Sequence, residues 1–229
     1  MQVTFTAQVA RMKTVVHITL LIATVLLFQG CSKENDPYVP VPPTGGGQDN
    51  PFNGALGGPV GVRMTFNGAD VLVLEQGGVL AFNNVNGQTN DPPALSYRYY
   101  LAGMYDADAK EAAFAVTKGS LYYEPPQVLP DAFATFFAPG TRSYGPATLG
   151  LDGLELEYRD ADGRRWSTQC GTTLQPSSEF LISGVLPGFD GFGQKMKVAA
   201  AFTCTFYDCQ SGATQLVQDG VLVLDFRDF

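Results

Sequence analysis

From residue 52 to residue 229 the chain has no sustained 3.6-residue hydrophobic period. Short β-branched and aromatic runs alternate with clusters of Gly, Pro, Asn and Asp. This spacing rules out most architectures, because each run is long enough for one strand and too short for a packed helix. The runs predict strands over residues 60–66, 71–74, 79–83, 95–105, 112–117, 133–137, 154–160, 164–170, 179–185, 195–207 and 215–226. Alternation is clearest in LELEYRD, where Leu154, Leu156 and Tyr158 share one face and Glu155 and Glu157 take the other. In the two longest runs, Val198, Phe202, Phe206, Leu222, Leu224 and Phe226 fall on even positions and form one buried face of a hairpin. Asn67-Gly68-Ala69-Asp70 and Asp160-Ala161-Asp162-Gly163 suit hairpin turns, since Asn, Asp and Gly tolerate positive φ. The expected fold is all-β, an antiparallel β-sandwich of roughly 8–11 strands. Residues 107–113 (ADAKEAA) form the one helix-like patch, with a loop as the alternative. Residues 124–131 (EPPQVLPD) and 186–193 (LPGFDGFG) read as loops with exposed apolar groups, and loops on a rigid β scaffold are where binding usually sits.

The N-terminal part has a different character. Residues 15–28 are an uncharged apolar run preceded by Arg11 and Lys13, and no acidic residue occurs before position 31. A membrane-crossing helix needs roughly 20 apolar residues. The run is shorter and ends at Gly30 and Cys31, so it reads as the apolar part of a signal peptide. Gly30 and Cys31 at this place resemble a lipobox, the site read by the bacterial lipoprotein signal peptidase, although Phe28 stands where Leu is usual. The resemblance implies cleavage between Gly30 and Cys31 and lipidation of Cys31, with a plain secretory signal as the alternative. Residues 1–11 lack signal character, which makes Met12 the expected true start. Ser32-Lys33-Glu34-Asn35-Asp36 resembles the lipoprotein export signal of Bacteroidetes, which implies the outer face of the outer membrane; a solvated start to a tether is the other reading. Residues 37–51 are rich in Pro and Gly and suit a flexible tether. The expected organisation is a signal peptide over 1–30, a lipidated Cys31 with tether over 31–51, and one β domain over 52–229.

Charge and residue usage exclude several functions. With 14 Lys and Arg against 22 Asp and Glu, the net charge is −8, and the basic footprint of a nucleic-acid binder is missing. The single histidine, His17, sits in the apolar N-terminal run, so no imidazole-based metal centre or triad is expected. No Gly-rich phosphate loop and no GxSxG elbow occurs, and no cofactor is expected. Cys170, Cys204 and Cys209 in an exported domain suggest one disulfide and one odd thiol, with three connectivities open and three reduced thiols as the alternative. Asp106, Asp108, Asp160 and Asp162 read as ordinary turn residues rather than calcium ligands. Tyr97, Tyr99 and Trp166 are candidates for a flat ligand-stacking platform, weighed against core or cross-strand packing. Asp152, Glu155, Glu157 and Glu179 are the carboxylates available to a glycan hydrolase, although nothing local marks an acid and a nucleophile.

The lipobox, the acidic tether, the Phe-Asn-Gly hairpin, the Tyr-rich strand, Phe-Phe-Ala-Pro-Gly-Thr before Tyr144, the EYRDADGRRWST hairpin and the closing FTCTFYD…GATQLVQDGVLVLDF hairpin together resemble Bacteroidetes-type cell-envelope lipoproteins with a β-sandwich domain of unknown function (DUF6252-like). The likeness spans most of residues 60–229 and implies an antiparallel sandwich, with no established activity and no catalytic residues to carry over. The function expected is that of a membrane-anchored, surface-exposed, non-enzymatic lipoprotein that binds a glycan or protein. The alternatives are a structural envelope component and a carboxylate-dependent glycan hydrolase.

Overall fold

The computed structural model describes residues 54–91, 94–171, 175 and 177–229. The expected signal peptide, Cys31 and the tether lie outside the described residues. The elements are β1 (Gly61–Phe66), β2 (Ala69–Leu74), β3 (Val79–Gln88), β4 (Ser96–Asp106), β5 (Glu111–Tyr123), α1 (Pro130–Phe136), β6 (Gly140–Arg142), β7 (Leu154–Arg159), β8 (Arg165–Ser167), β9 (Glu179–Asp190), β10 (Gly193–Asp208) and β11 (Thr214–Asp228). The architecture is all-β and antiparallel, as the alternation requires. No helix of the described residues is long and apolar enough to cross a membrane.

Eleven strands form one continuous curled sheet in the order β2-β1-β11-β10-β8-β7-β5-β4-β3, with β9 and β6 added beside β10. The long strand β10 makes the turn between layers. Its residues 193–203 pair with β9, whereas Tyr207 and Asp208 pair with Ser167 and Trp166 of β8. The inward faces of both layers meet in one core. Phe114 of β5 lies 6.1 Å from Phe202 of β10, and Phe66 of β1 lies 4.9 Å from Tyr158 of β7, ring centre to ring centre. Gly220 makes room for this packing, since a Cβ there would fall 2.3 Å from the ring of Phe202 on the neighbouring strand. The six even-position apolar residues of β10 and β11 are all buried.

Turn chemistry sets the hairpins. Asn67 and Gly68 take φ of 52° and 75°, the pair of left-handed residues a tight β1–β2 turn demands. Asp160 caps the β7–β8 turn by accepting from the Asp162 and Arg164 N–H groups, both at 2.9 Å. Residues 107–110 are the β4–β5 turn, so the helix-like patch of ADAKEAA is not a helix. Asp106 Oδ1 accepts from the N–H groups of Asp108 and Ala109 and closes the turn.

Two further expectations change. Residues 133–137 were expected as a strand, but Phe133 and Phe136 lie on α1 and Phe137 caps it. Pro130 at the start and Asp131 in the first turn favour a helix there. The i, i+3, i+4 spacing of Phe133, Phe136 and Phe137 places all three rings around Tyr100 of β4, at 5.3, 5.6 and 5.7 Å. Residues 186–193 were expected as a loop, yet β9 runs to Asp190 and the hairpin turns only at its tip. Pro187 is tolerated because β6 pairs with β9 only at residues 180–182, which leaves this stretch of β9 on a sheet edge. Phe189 and Phe192 at the tip are 78% and 75% exposed.

Candidate functional site

The parity of β5 puts Phe114 and Val116 inward, and Lys118 continues it, opposite Tyr100 of β4 and Leu154 of β7. A lysine is thereby carried to an inward position. The strand then bulges: Tyr100 pairs with Lys118 and Arg98 with Leu121, so Gly119 and Ser120 together face the single residue Tyr99. Gly119 is required by the loop that leads into β7. A Cβ there would lie 1.9 Å from the Ala147 carbonyl oxygen and 2.3 Å from that of Leu151. The loop presses on β5, with Gly119 N–H donating to Gly153 O at 3.0 Å. Tyr122 pins the loop from outside by donating to Gly150 O at 2.5 Å.

This close approach delivers Asp152 to Lys118. Lys118 Nζ donates to Asp152 Oδ1 at 2.7 Å and to Gly119 O at 2.5 Å, and lies 4.1 Å from the centre of the Phe136 ring. The Lys118 side chain is 5% exposed and that of Asp152 is 72% exposed. Around this pair, α1 contributes Thr135 and Phe136, β6 contributes Thr141 and Arg142, and Ser120 and Ser143 complete a pocket of about 390 Å³. Arg142 donates through Nη1 to Thr141 O at 3.0 Å and through Nη2 to Ala138 O, and no carboxylate pairs with it among the described residues. Ser120 is only 6% exposed, and its hydroxyl has no hydrogen-bond partner among the described residues. Thr141 Oγ1 donates to Glu179 Oε1 at 3.1 Å.

Burial pulls the Lys118 ammonium below the ordinary lysine value, Asp152 opposes that shift, and the charge of Arg142 adds to it. The carboxylate, the carbonyl and the aromatic face all favour the charged form, so Lys118 acts as a fixed cation and donor rather than a free amine. The pocket therefore presents two cations and four hydroxyl side chains against one lining carboxylate. Its volume lies within the range of small-molecule sites, roughly 300–1,000 Å³. No cluster of three or more His, Cys, Asp or Glu among the described residues is placed to hold a metal ion.

The residues singled out from sequence are scattered. Tyr97 lies on the outer face, its ring 6.0 Å from Tyr122, and lines a depression of about 200 Å³ with Asn86, Arg98 and Phe229. Tyr99 is half-buried opposite Asn86 of β3. Trp166 corrects the platform expectation. It is 8% exposed, stacks edge-on at 5.1 Å from Phe66, and donates from Nε1 to Asp160 Oδ2 at 2.8 Å. The cause is register: Trp166 pairs with Tyr158, an inward residue of β7. The three aromatics therefore do not form one surface.

Cys170 and Cys209 form the disulfide, and Cys204 is a free buried thiol. The bridge ties the chain after β8 to the β10–β11 turn, where Cys209 N–H also donates to Arg165 O at 3.0 Å. Burial pushes the Cys204 thiol well up, and the Tyr144 hydroxyl beside it is raised for the same reason. The four hydrolase carboxylates each have a separate partner: Asp152 binds Lys118, Glu155 accepts from Ala147 N–H, Glu157 pairs with Arg165, and Glu179 accepts from Thr141. Sequence reasoning missed Lys118, Ser120 and Arg142. Only Lys118 left a signal, as a charge on the inward parity of AVTKGSLYY. No family model matches the chain, and no curated protein or solved structure matches it.

Proposed function

We propose that the chain is a lipid-anchored lipoprotein of the bacterial outer membrane, held at the cell surface through Cys31, whose β domain is a non-catalytic binding module. The observation that carries this reading is the pocket between α1, β5 and β6, where Lys118, Arg142 and Ser120 converge as donors. The polar lining suits a hydroxyl-bearing ligand such as a glycan better than an apolar one. Its single carboxylate, Asp152, is held by Lys118, which favours recognition over acid–base chemistry. The apolar run ending at Gly30 and Cys31 supports the anchor. Lipid chains contribute about 0.8 kcal/mol per buried CH₂, so two or more chains hold a protein firmly.

A glycan array probed with residues 52–229 tests the binding reading. Retained glycans that Arg142→Gln weakens are expected, and a blank array with folded protein overturns the glycan form. For the anchor, Cys31→Ser should abolish incorporation of labelled palmitate. Label on that variant sinks the lipidation assignment.

A further inference from the structure

We propose that the Lys118–Arg142 pocket is specific for an acidic sugar, a monoanionic polyol whose charge is a uronate carboxylate or a sulfate ester. This rests on the binding-module reading and names the ligand class of the same site. Arg142 lines the pocket with its guanidinium committed only to two backbone carbonyls, Thr141 O and Ala138 O. No carboxylate neutralises it among the described residues. Lys118 adds a second cation that is almost fully desolvated. Two cations against one lining carboxylate leave a net positive pocket in a chain of net charge −8. A concave site with a net positive lining raises the local concentration of a small anion.

The independent observation is Ser120. Its hydroxyl is buried, lines the pocket and has no partner among the described residues. A buried polar group without a partner is costly, and a bound ligand would supply one. Thr135, Thr141 and Ser143 add hydroxyls that can both donate and accept, which suits the hydroxyls of a sugar ring. Asp152 narrows the ligand further. Its exposed carboxylate repels a dianion such as inorganic phosphate, yet it can accept from a sugar hydroxyl while Lys118 stays paired. Glu179, against Thr141, acts in the same sense.

The test is calorimetric titration of the full chain in detergent micelles with D-glucuronate, D-glucose 6-sulfate, D-glucose and inorganic phosphate. At least one of the two acidic sugars should bind about tenfold or more tightly than glucose and phosphate, and which one does assigns the anion. Arg142→Gln should weaken that binding by about tenfold or more in protein that still melts cooperatively. Ser120→Ala removes a hydroxyl with no partner among the described residues, so it should lower sugar affinity without lowering stability. Equal affinity for glucose, phosphate as the preferred ligand, no binding of either acidic sugar, or indifference to both substitutions overturns the assignment. A neutral glycan retained on the array and insensitive to Arg142→Gln would leave the binding module standing and remove this specificity alone. A blank array with folded protein removes the glycan form of the module and this specificity with it.

Discussion

Asp228 shows how one residue can join layers that backbone hydrogen bonds do not. It sits near the end of β11, 7% exposed, and accepts from Arg98 Nη1 at 2.5 Å and from the Tyr100 hydroxyl at 3.1 Å, both on β4. Arg98 also lies 5.3 Å from the centre of the Tyr123 ring. Removing the carboxylate takes the main acceptor from a partly buried guanidinium and from a fully buried phenol. Asp228→Ala should therefore destabilise by about 1–3 kcal/mol in urea denaturation. The double change Arg98→Met with Asp228→Leu should recover most of that loss, because no charge is left unpaired. Recovery of nothing would mean that the contact works through packing alone. Asp219 is a surface counterpart. The Thr65 hydroxyl at 2.6 Å and the Thr65 N–H at 2.9 Å hold its carboxyl below the usual range. A depressed folded-state pKa stabilises above the unfolded value of about 3.9 and stops doing so as pH falls through the folded value. Asp219→Asn should lower Tm at pH 7 by about 2–4 °C, the shift for roughly 1 kcal/mol in a domain of this size. The difference from the unaltered protein should shrink below pH about 4. A difference that grows on acidification would contradict the assignment.

At the scale of elements, the β10–β11 hairpin is the spine of the molecule. It pairs in register from Gln194 with Asp228 to Tyr207 with Thr214, interrupted only by an irregularity between Phe202 and Cys204. Phe206 points inward against Phe66 and Tyr158, at 6.1 and 6.4 Å, whereas Thr205 is half-buried on the other face. Phe206→Asp places an unpaired carboxylate in the core, which costs several kcal/mol of a total of about 5–15. It should abolish folded yield, while Thr205→Asp should give soluble protein with a modest loss in Tm. Similar yields of both would show that the inward face is misassigned. α1 matters for a related reason. Its three rings close around Tyr100, and Phe136 lies against the Lys118 ammonium, so the helix that completes the core also walls the pocket.

For the whole molecule, the core and the disulfide both lie within the described β domain. Leu56 packs with Leu72, Leu74 and Val221 over Ala199 and Val223 on the outer side of the sheet, and Lys197 Nζ donates to Gly58 O at 3.0 Å. The structural boundary therefore falls before Leu56. Deleting residues 1–51 should leave a single cooperative melt, whereas deleting residues 1–59 should lower Tm by uncovering Ala199 and Val223. Equal melts for the two deletions would show that this outer cluster contributes nothing. In the protein lacking residues 1–51, the native state should release no titratable thiol, and the denatured, unreduced state one equivalent, from Cys204. Two or three equivalents would mean that the bridge is absent. Cys170→Ser should cost about 2–4 kcal/mol, the range for losing a cross-link over a loop of this length.

The all-β class, the hairpin turns at Asn67 and Asp160, and the buried face of β10 and β11 were legible in the residues alone. These follow from period-two alternation and from local backbone preferences, which act over a few residues. The helical spacing of Phe133, Phe136 and Phe137 after Pro130 was legible too, but a run of aromatics satisfies a strand as readily as a helix until Tyr100 gives the rings a common neighbour. The rest came with the folded chain: that Trp166 faces the core, that Cys170 meets Cys209 rather than Cys204, and that Lys118, Ser120 and Arg142 share a pocket. Each depends on which strand lies beside which, and pairing between distant segments is set by the packing of the whole core. The bulge at Gly119 and Ser120 lies where the Ala147 and Leu151 carbonyls come against β5, and Ser120 in it lines the same pocket as Lys118.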